Sequence, residues 1–205
     1  MISININKNK PHNDGDGIPD AIDLDFSTEE DQELLITLSG TDPNNTELSF
    51  VITESPLNGY LVGDPDNLSE FIYTPVLNFN GSDSFRFMGF NGFFYSDEAT
   101  ATIDISSVND TPVAEDIITE LDEDTSIDIA LIGNDIDGDE LIFSITAYPG
   151  NGSASLSNGV LTYTPNTDYS GEDIIEYSSN DGEFQSEIAF ITILVAERAP
   201  PTTDF

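Results

Sequence analysis

Apolar and polar residues alternate in short runs along most of the chain. Ile127, Ile129 and Leu131 alternate with polar or small neighbours, and Ile175 and Tyr177 do the same. A period of two is the mark of a half-buried strand. Asx-Gly pairs punctuate these runs at Asp137-Gly138, Asn151-Gly152, Asn158-Gly159 and Asp181-Gly182, where turns are expected. No stretch carries a convincing helical period, so the pattern predicts an all-β protein.

Self-comparison exposes an internal repeat. Glu30-Asp31 matches Glu123-Asp124, a shift of 93, and the same shift carries Leu48-Ser49-Phe50-Val51-Ile52-Thr53 onto Leu141-Ile142-Phe143-Ser144-Ile145-Thr146. After a length change in a loop the shift is 90, and Tyr73-Thr74-Pro75 matches Tyr163-Thr164-Pro165. Roughly seven short strands per unit, with turns every 8 to 12 residues, predict two tandem Greek-key β-sandwiches of immunoglobulin or cadherin type. The expected organisation is a calcium-loop segment at 1–25, repeats at 26–111 and 112–198, and a linker at 199–205 that contains Pro200-Pro201-Thr202-Thr203.

The last strand of each repeat sets up a contrast. Ala99, Ala101, Ile103 and Ile105 match Ala189, Ile191, Ile193 and Val195, which predicts that both sets point inward. The opposite face then reads Glu98, Thr100, Thr102 and Asp104 in the first repeat but Ile188, Phe190, Thr192 and Leu194 in the second. Three large apolar side chains call for a cover. A neighbouring chain or a following repeat is expected to supply it; a loop of the same domain is the alternative.

Charge changes the picture next. The 205 residues hold 40 Asp and Glu against four basic side chains, Lys8, Lys10, Arg86 and Arg198, a formal net charge of -36. Salt bridges cannot neutralise this acid, and self-repulsion opposes compaction. Much of it lies in Asp-rich turns with metal-ligand spacing, so bound divalent cations are expected. No basic patch exists to displace counterions, which argues against nucleic acid or an anionic membrane as partner. Cysteine is absent, and no apolar run approaches the length of a membrane span, so a mature or excised piece without membrane insertion is expected.

Two constellations carry the candidate chemistry. In the segment from His12 to Asp23, Asp14, Asp16, Asp20 and Asp23 fall at loop positions 3, 5, 9 and 12, with Gly17 at position 6 and the Ile18 carbonyl at position 7. That is the spacing of a calcium loop. Its Asp-Gly-Asp-Gly-x-Pro-Asp run resembles the thrombospondin type 3 class, although His12 stands where an Asp is usual. The second constellation is Asn134-Asp135-Ile136-Asp137-Gly138-Asp139 with Asn109-Asp110 and Asn180-Asp181-Gly182. Taken singly, each of these is a turn.

With the repeat, these motifs resemble the bacterial cadherin-like tandem repeats of surface and polysaccharide-degrading proteins. The resemblance implies calcium at each junction, with Asn109 and Asp110 as linker ligands, Asp135 and Asp137 as paired carboxylates and Asp181 as the late ligand. It also implies that Glu30 and Asp83 close the site from the first repeat. The first repeat departs from the pattern, with Asp42-Pro43-Asn44 at the paired position and Asn91-Gly92 at the late one.

The single histidine, His12, sits in the expected calcium loop and cysteine is absent, so no serine or cysteine triad is expected; every close carboxylate pair also fits a cation, so no enzyme is expected. Phe90, Phe93 and Phe94 flank a turn and either pack against the neighbouring repeat or stack on sugars. Two functions follow as expectations. One is a calcium-rigidified structural or adhesive segment of a secreted or cell-surface protein, partnered by neighbouring repeats or like chains; the other is a carbohydrate-binding module with polysaccharide as partner.

Overall fold

The structure is a computed structural model that describes residues 5–6 and 17–198. Among the described residues every regular element is a strand. The chain divides into two compact units, residues 1–108 and 109–205.

In the first unit, β1 (Asn5–Ile6), β2 (Asp20–Ala21), β3 (Leu24–Glu29), β4 (Leu34–Thr37) and β5 (Gly40–Thr41) precede β6 (Ser49–Glu54) and β7 (Gly59–Gly63). β8 (Glu70–Pro75), β9 (Gly81–Phe90) and β10 (Ala99–Ser106) complete it. One sheet runs β1-β3-β10-β9-β6, the facing sheet runs β4-β8-β7, and β2 pairs with β5 as a small ribbon.

The second unit repeats this plan. Its strands are β11 (Val113–Ala114), β12 (Ile117–Asp122), β13 (Ile127–Ala130), β14 (Gly133–Asn134), β15 (Ile142–Ala147), β16 (Gly152–Ser157), β17 (Val160–Pro165), β18 (Gly171–Asn180) and β19 (Ala189–Ala196). They form the sheets β12-β19-β18-β15 and β13-β17-β16 and the ribbon β11-β14. Even the irregularity recurs: β6 slips register against β9 between Ile52 and Glu54, and β15 against β18 between Ile145 and Ala147.

Within each unit the first long strand lies parallel to the last, β3 to β10 and β12 to β19. A strand that enters parallel to the one that leaves puts the two chain ends of the sandwich at opposite poles. The entry pole carries the loop after β5 or β14 and the β9–β10 or β18–β19 hairpin. The exit pole carries the turn after β3 or β12.

The alternation read from the sequence decides the two cores. Ala99, Ala101, Ile103 and Ile105 are buried with Phe26, Ile36, Phe85 and Phe87; Ala189, Ile191, Ile193 and Val195 are buried with Leu161, Tyr163, Ile175 and Tyr177. Ile188, Phe190 and Leu194 stay about half exposed, so no described loop lies across them. The first sandwich also begins earlier than residue 26. Asp20 and Ala21 pair with Thr41 and Gly40, and Leu24 is core, so the tail of the expected calcium loop is the entering edge of the fold.

Candidate cation site

The entry pole of the second unit gathers the linker and both acidic turns by hydrogen bonds. The loop after β14 curls because Asp135 Oδ1 accepts from the Asp137 and Asp139 backbone N–H groups at 3.0 and 3.2 Å, while Gly138 takes a positive φ of 82°. Asp137 Oδ2 then accepts from the Asp110 backbone N–H at 2.8 Å. The Asn109 amide donates to Asp181 Oδ2 at 2.9 Å, so the atom it can still offer a cation is its carbonyl oxygen. Burial pushes the Asp181 carboxyl up, but the Glu183 and Phe184 N–H groups and the Asn109 amide outweigh it and hold the group below its ordinary value.

Thus Asn109, Asp110, Asp135, Asp137 and Asp181 share one pole. Asp135 Oδ2 is buried and accepts no hydrogen bond.

The matching pole of the first unit is closed instead. The Asn91 amide donates to Asp42 Oδ2 at 2.7 Å and to the Gly17 carbonyl at 2.9 Å. Asp42 Oδ1 accepts from the Asn44 and Thr46 N–H groups. The Asn91 amide, then these N–H groups, hold the Asp42 carboxyl below its usual range. Two changes of residue type, Asn44 for Asp137 and Asn91 for Asp181, separate this self-satisfied pole from the acidic one.

At the exit pole of the first unit Glu30 is only 3% exposed. Its Oε1 accepts from the Val108 N–H at 2.6 Å, and its Oε2 has no hydrogen-bond partner. Glu123 occupies the same place in the second unit and accepts from the Arg198 N–H at 3.0 Å.

Asp83 sits near that pole but is spent. Its carboxylate accepts from the Leu57, Asn58 and Ser84 N–H groups and from the Tyr73 hydroxyl, at 2.8 to 3.1 Å. Four donors occupy the lone pairs a cation would need, so the expected ligand is a turn clamp. Asp173 repeats it with Gly150, Asn151, Ile174 and Tyr163.

Asp23 likewise accepts from the Thr100 N–H at 2.8 Å and staples the start of β10, as Asp116 does for Phe190 in the second unit. Asp20 lies in β2 and Ile18 just before it, while Asp14 and Asp16 fall outside the described residues. The thrombospondin-like reading of this segment therefore has only its last residues in view, and they belong to the sandwich.

Among the described residues no three carboxylate or imidazole groups converge closely enough to hold a metal as they stand. The donor set at the second unit's entry pole is nevertheless all oxygen, the chemistry calcium takes, and buried carboxylate oxygens there and at Glu30 await a donor. Of the aromatic residues, Phe90 stacks on Tyr95 with ring centroids 4.5 Å apart, and Phe93 is 85% exposed. The Asn91 carbonyl oxygen accepts from the Phe93 and Phe94 N–H groups and fixes this tip.

The model of the bacterial Ig domain family matches residues 13–105 and again 109–194. No curated protein matches the chain. Among solved structures, human protocadherin-24 EC1-2 is 14% identical with a TM-score of 0.57, over 88% of this chain and 98% of that one. Human mucin-like protocadherin EC1-2 is 15% identical with a TM-score of 0.55 over the same shares. An endo-fucoidan hydrolase of glycoside hydrolase family 107 is 19% identical with a TM-score of 0.42, over 91% of this chain and 30% of that one. The chain thus spans under a third of that hydrolase. These identities speak for the fold alone. Among the described residues no helix is long and apolar enough to cross a membrane.

Proposed function

We propose that this chain, which belongs to the bacterial Ig domain family as two tandem copies, is a non-catalytic structural segment of an extracellular protein whose linker is stiffened by calcium. The observation that carries the reading is the buried, unpartnered carboxylate oxygen of Glu30, with a second at Asp135. An anionic oxygen removed from water without a donor is costly, and a hard cation removes that cost. Asn109, Asp110, Asp135, Asp137 and Asp181 would hold an ion at the entry pole of the second repeat, and the free Glu30 oxygen would be a cation ligand at the exit pole of the first. Calcium would supply charge neutralisation and coordination only.

Calcium titrated into the full chain by calorimetry is expected to bind, and Asp135→Ala or Glu30→Gln to weaken binding by about tenfold or more, a loss of about 1.4 kcal/mol. Asp42→Ala should leave binding almost unchanged, since the Asn91 amide already satisfies that carboxylate. Calcium should also slow proteolysis within residues 107–112. Equal losses in all three variants, or cleavage indifferent to calcium, would refute the assignment.

The second reading, a module for polysaccharide, has the exposed Phe93 and the Phe90–Tyr95 stack in its favour. Affinity electrophoresis in neutral polysaccharide gels tests it, with Phe93→Ala expected to lose the retardation.

A further inference from the structure

The outer face of the β12-β19-β18 sheet is built on a lattice that the first repeat shares. Thr192 is its centre, paired with Ile118 of β12 on one side and Ile174 of β18 on the other. Phe190 and Leu194 stand two residues before and after it along β19. These four apolar arms are exposed by 76, 44, 43 and 43% in the order Ile118, Ile174, Phe190, Leu194. The corners are acidic: Glu120 and Glu172 both pair with Leu194, Glu176 pairs with Phe190, and Asp116 holds the Phe190 N–H.

The first repeat supplies an internal control. Its lattice centres on Thr102, with Asp25 and Ser84 to the sides and Thr100 and Asp104 along β10. Its corners are Ser27, Ser82, Arg86 and Asp23. Arg86 is held there by Glu98 at 3.2 Å and Glu54 at 3.4 Å. The same sandwich therefore folds with all four arms polar, so the apolar arms of the second repeat are not a demand of the fold. The arms turn apolar together, and three corners turn to glutamate together. An apolar centre with a polar rim is the anatomy of a recognition surface.

We propose that this face docks a protein partner that presents an apolar strip bordered by lysine or arginine. The rim carries one sign only, and a complementary potential must come from the other side. A second copy of this chain cannot supply it. Only four of its 205 side chains are Lys or Arg, and its own matching face would set glutamate against glutamate.

The probe is a short amphipathic helical peptide of leucine and lysine, added to the isotope-labelled full chain and followed by NMR and fluorescence anisotropy. Shifts are expected at Ile118, Ile174, Phe190 and Leu194 and not at the Thr102 lattice. Phe190→Thr with Leu194→Thr should weaken binding by about tenfold or more while the thermal midpoint barely moves, because the first repeat already tolerates polar arms. Glu120→Ser with Glu172→Ser, which copies Ser27 and Ser82, should weaken it further at low salt than at high salt. A leucine–glutamate peptide should not bind. Equal binding of a serine–lysine peptide, or of the double-threonine variant, would reduce the effect to bulk charge and overturn the proposal. Sedimentation that detects self-association dependent on Phe190 without peptide would overturn it too, in favour of a second copy.

Discussion

Asp173→Ala is expected to cost the second repeat about 3 to 5 kcal/mol, more than any surface change in this chain. The carboxylate is 4% exposed and accepts from the Gly150, Asn151 and Ile174 N–H groups at 2.9 to 3.1 Å and from the Tyr163 hydroxyl at 2.9 Å. Alanine orphans a buried hydroxyl and releases the turn that precedes β16. The ring of Tyr163 lies against Gly152, where a Cβ would meet Cε2 at 2.5 Å and the Thr164 carbonyl oxygen at 2.6 Å. Turn, glycine, tyrosine and aspartate therefore lock as one unit, and the first repeat builds the same unit from Asn58, Gly59, Tyr73 and Asp83. In a domain this size each kcal/mol moves the midpoint by about 4 to 8 °C, so calorimetry should find the second repeat melting at least about 12 °C lower. Tyr163→Phe, which removes one donor of four, should cost only about 1 to 2 kcal/mol. A fall of less than about 3 °C for Asp173→Ala would mean that water replaces the carboxylate and the lock is ornamental.

That lock also marks where reading the sequence falls short. Period-two alternation along β10 and β19 places Ala101, Ile103, Ile191 and Ile193 in the cores, because a strand with one buried face leaves no other solution. The repeat shift likewise recovers both sandwiches. Asp83 is different. An aspartate that accepts four donors and one that coordinates a cation have the same residue type in the same kind of turn, and only the position of the donors separates them. A usable signal did exist: Tyr73 and Asp83 are ten residues apart, and so are Tyr163 and Asp173. A tyrosine that travels with the acid in both repeats points to a hydroxyl partner rather than a metal.

The stretch from Asp20 to Leu24 misleads for the opposite reason. Asp-Gly spacing is a strong local pattern, whereas β2 and the first residues of β3 are held mainly by distant partners, Thr41 and Ala101, that no local pattern announces. The outward stripe of β19 was legible in full, but its cover was not. Whether a face is dry depends on what lies across it, and among the described residues nothing does.

Above about pH 10 the second repeat is expected to lose stability more steeply than the first. Burial, then the hydrogen bond and charge of Asp83, push the Tyr73 hydroxyl well above its ordinary value, and Asp173 and burial do the same to Tyr163. Tyr177 is raised as well, chiefly by burial, although its hydroxyl donates to the Glu115 and Ile132 carbonyls. The first repeat has Phe87 in that place, so it carries one such tyrosine against two. A group whose folded value is raised keeps its full contribution below the unfolded value near 10 and loses it as pH rises towards the folded value. In that window Tyr73, Tyr163 and Tyr177 ionise more readily in the unfolded chain than in the fold. A tyrosine that keeps its proton in the fold costs up to about 1.4 kcal/mol per pH unit, so the slope of the first repeat should approach that figure and the slope of the second should exceed it. Chemical denaturation between pH 9 and 11.5, with tyrosinate absorbance read alongside, measures both. Tyr177→Phe should bring the second slope down to that of the first. Parallel slopes in the unaltered chain would instead mean that Tyr177 ionises in place, with its two carbonyl contacts too loose to keep the proton.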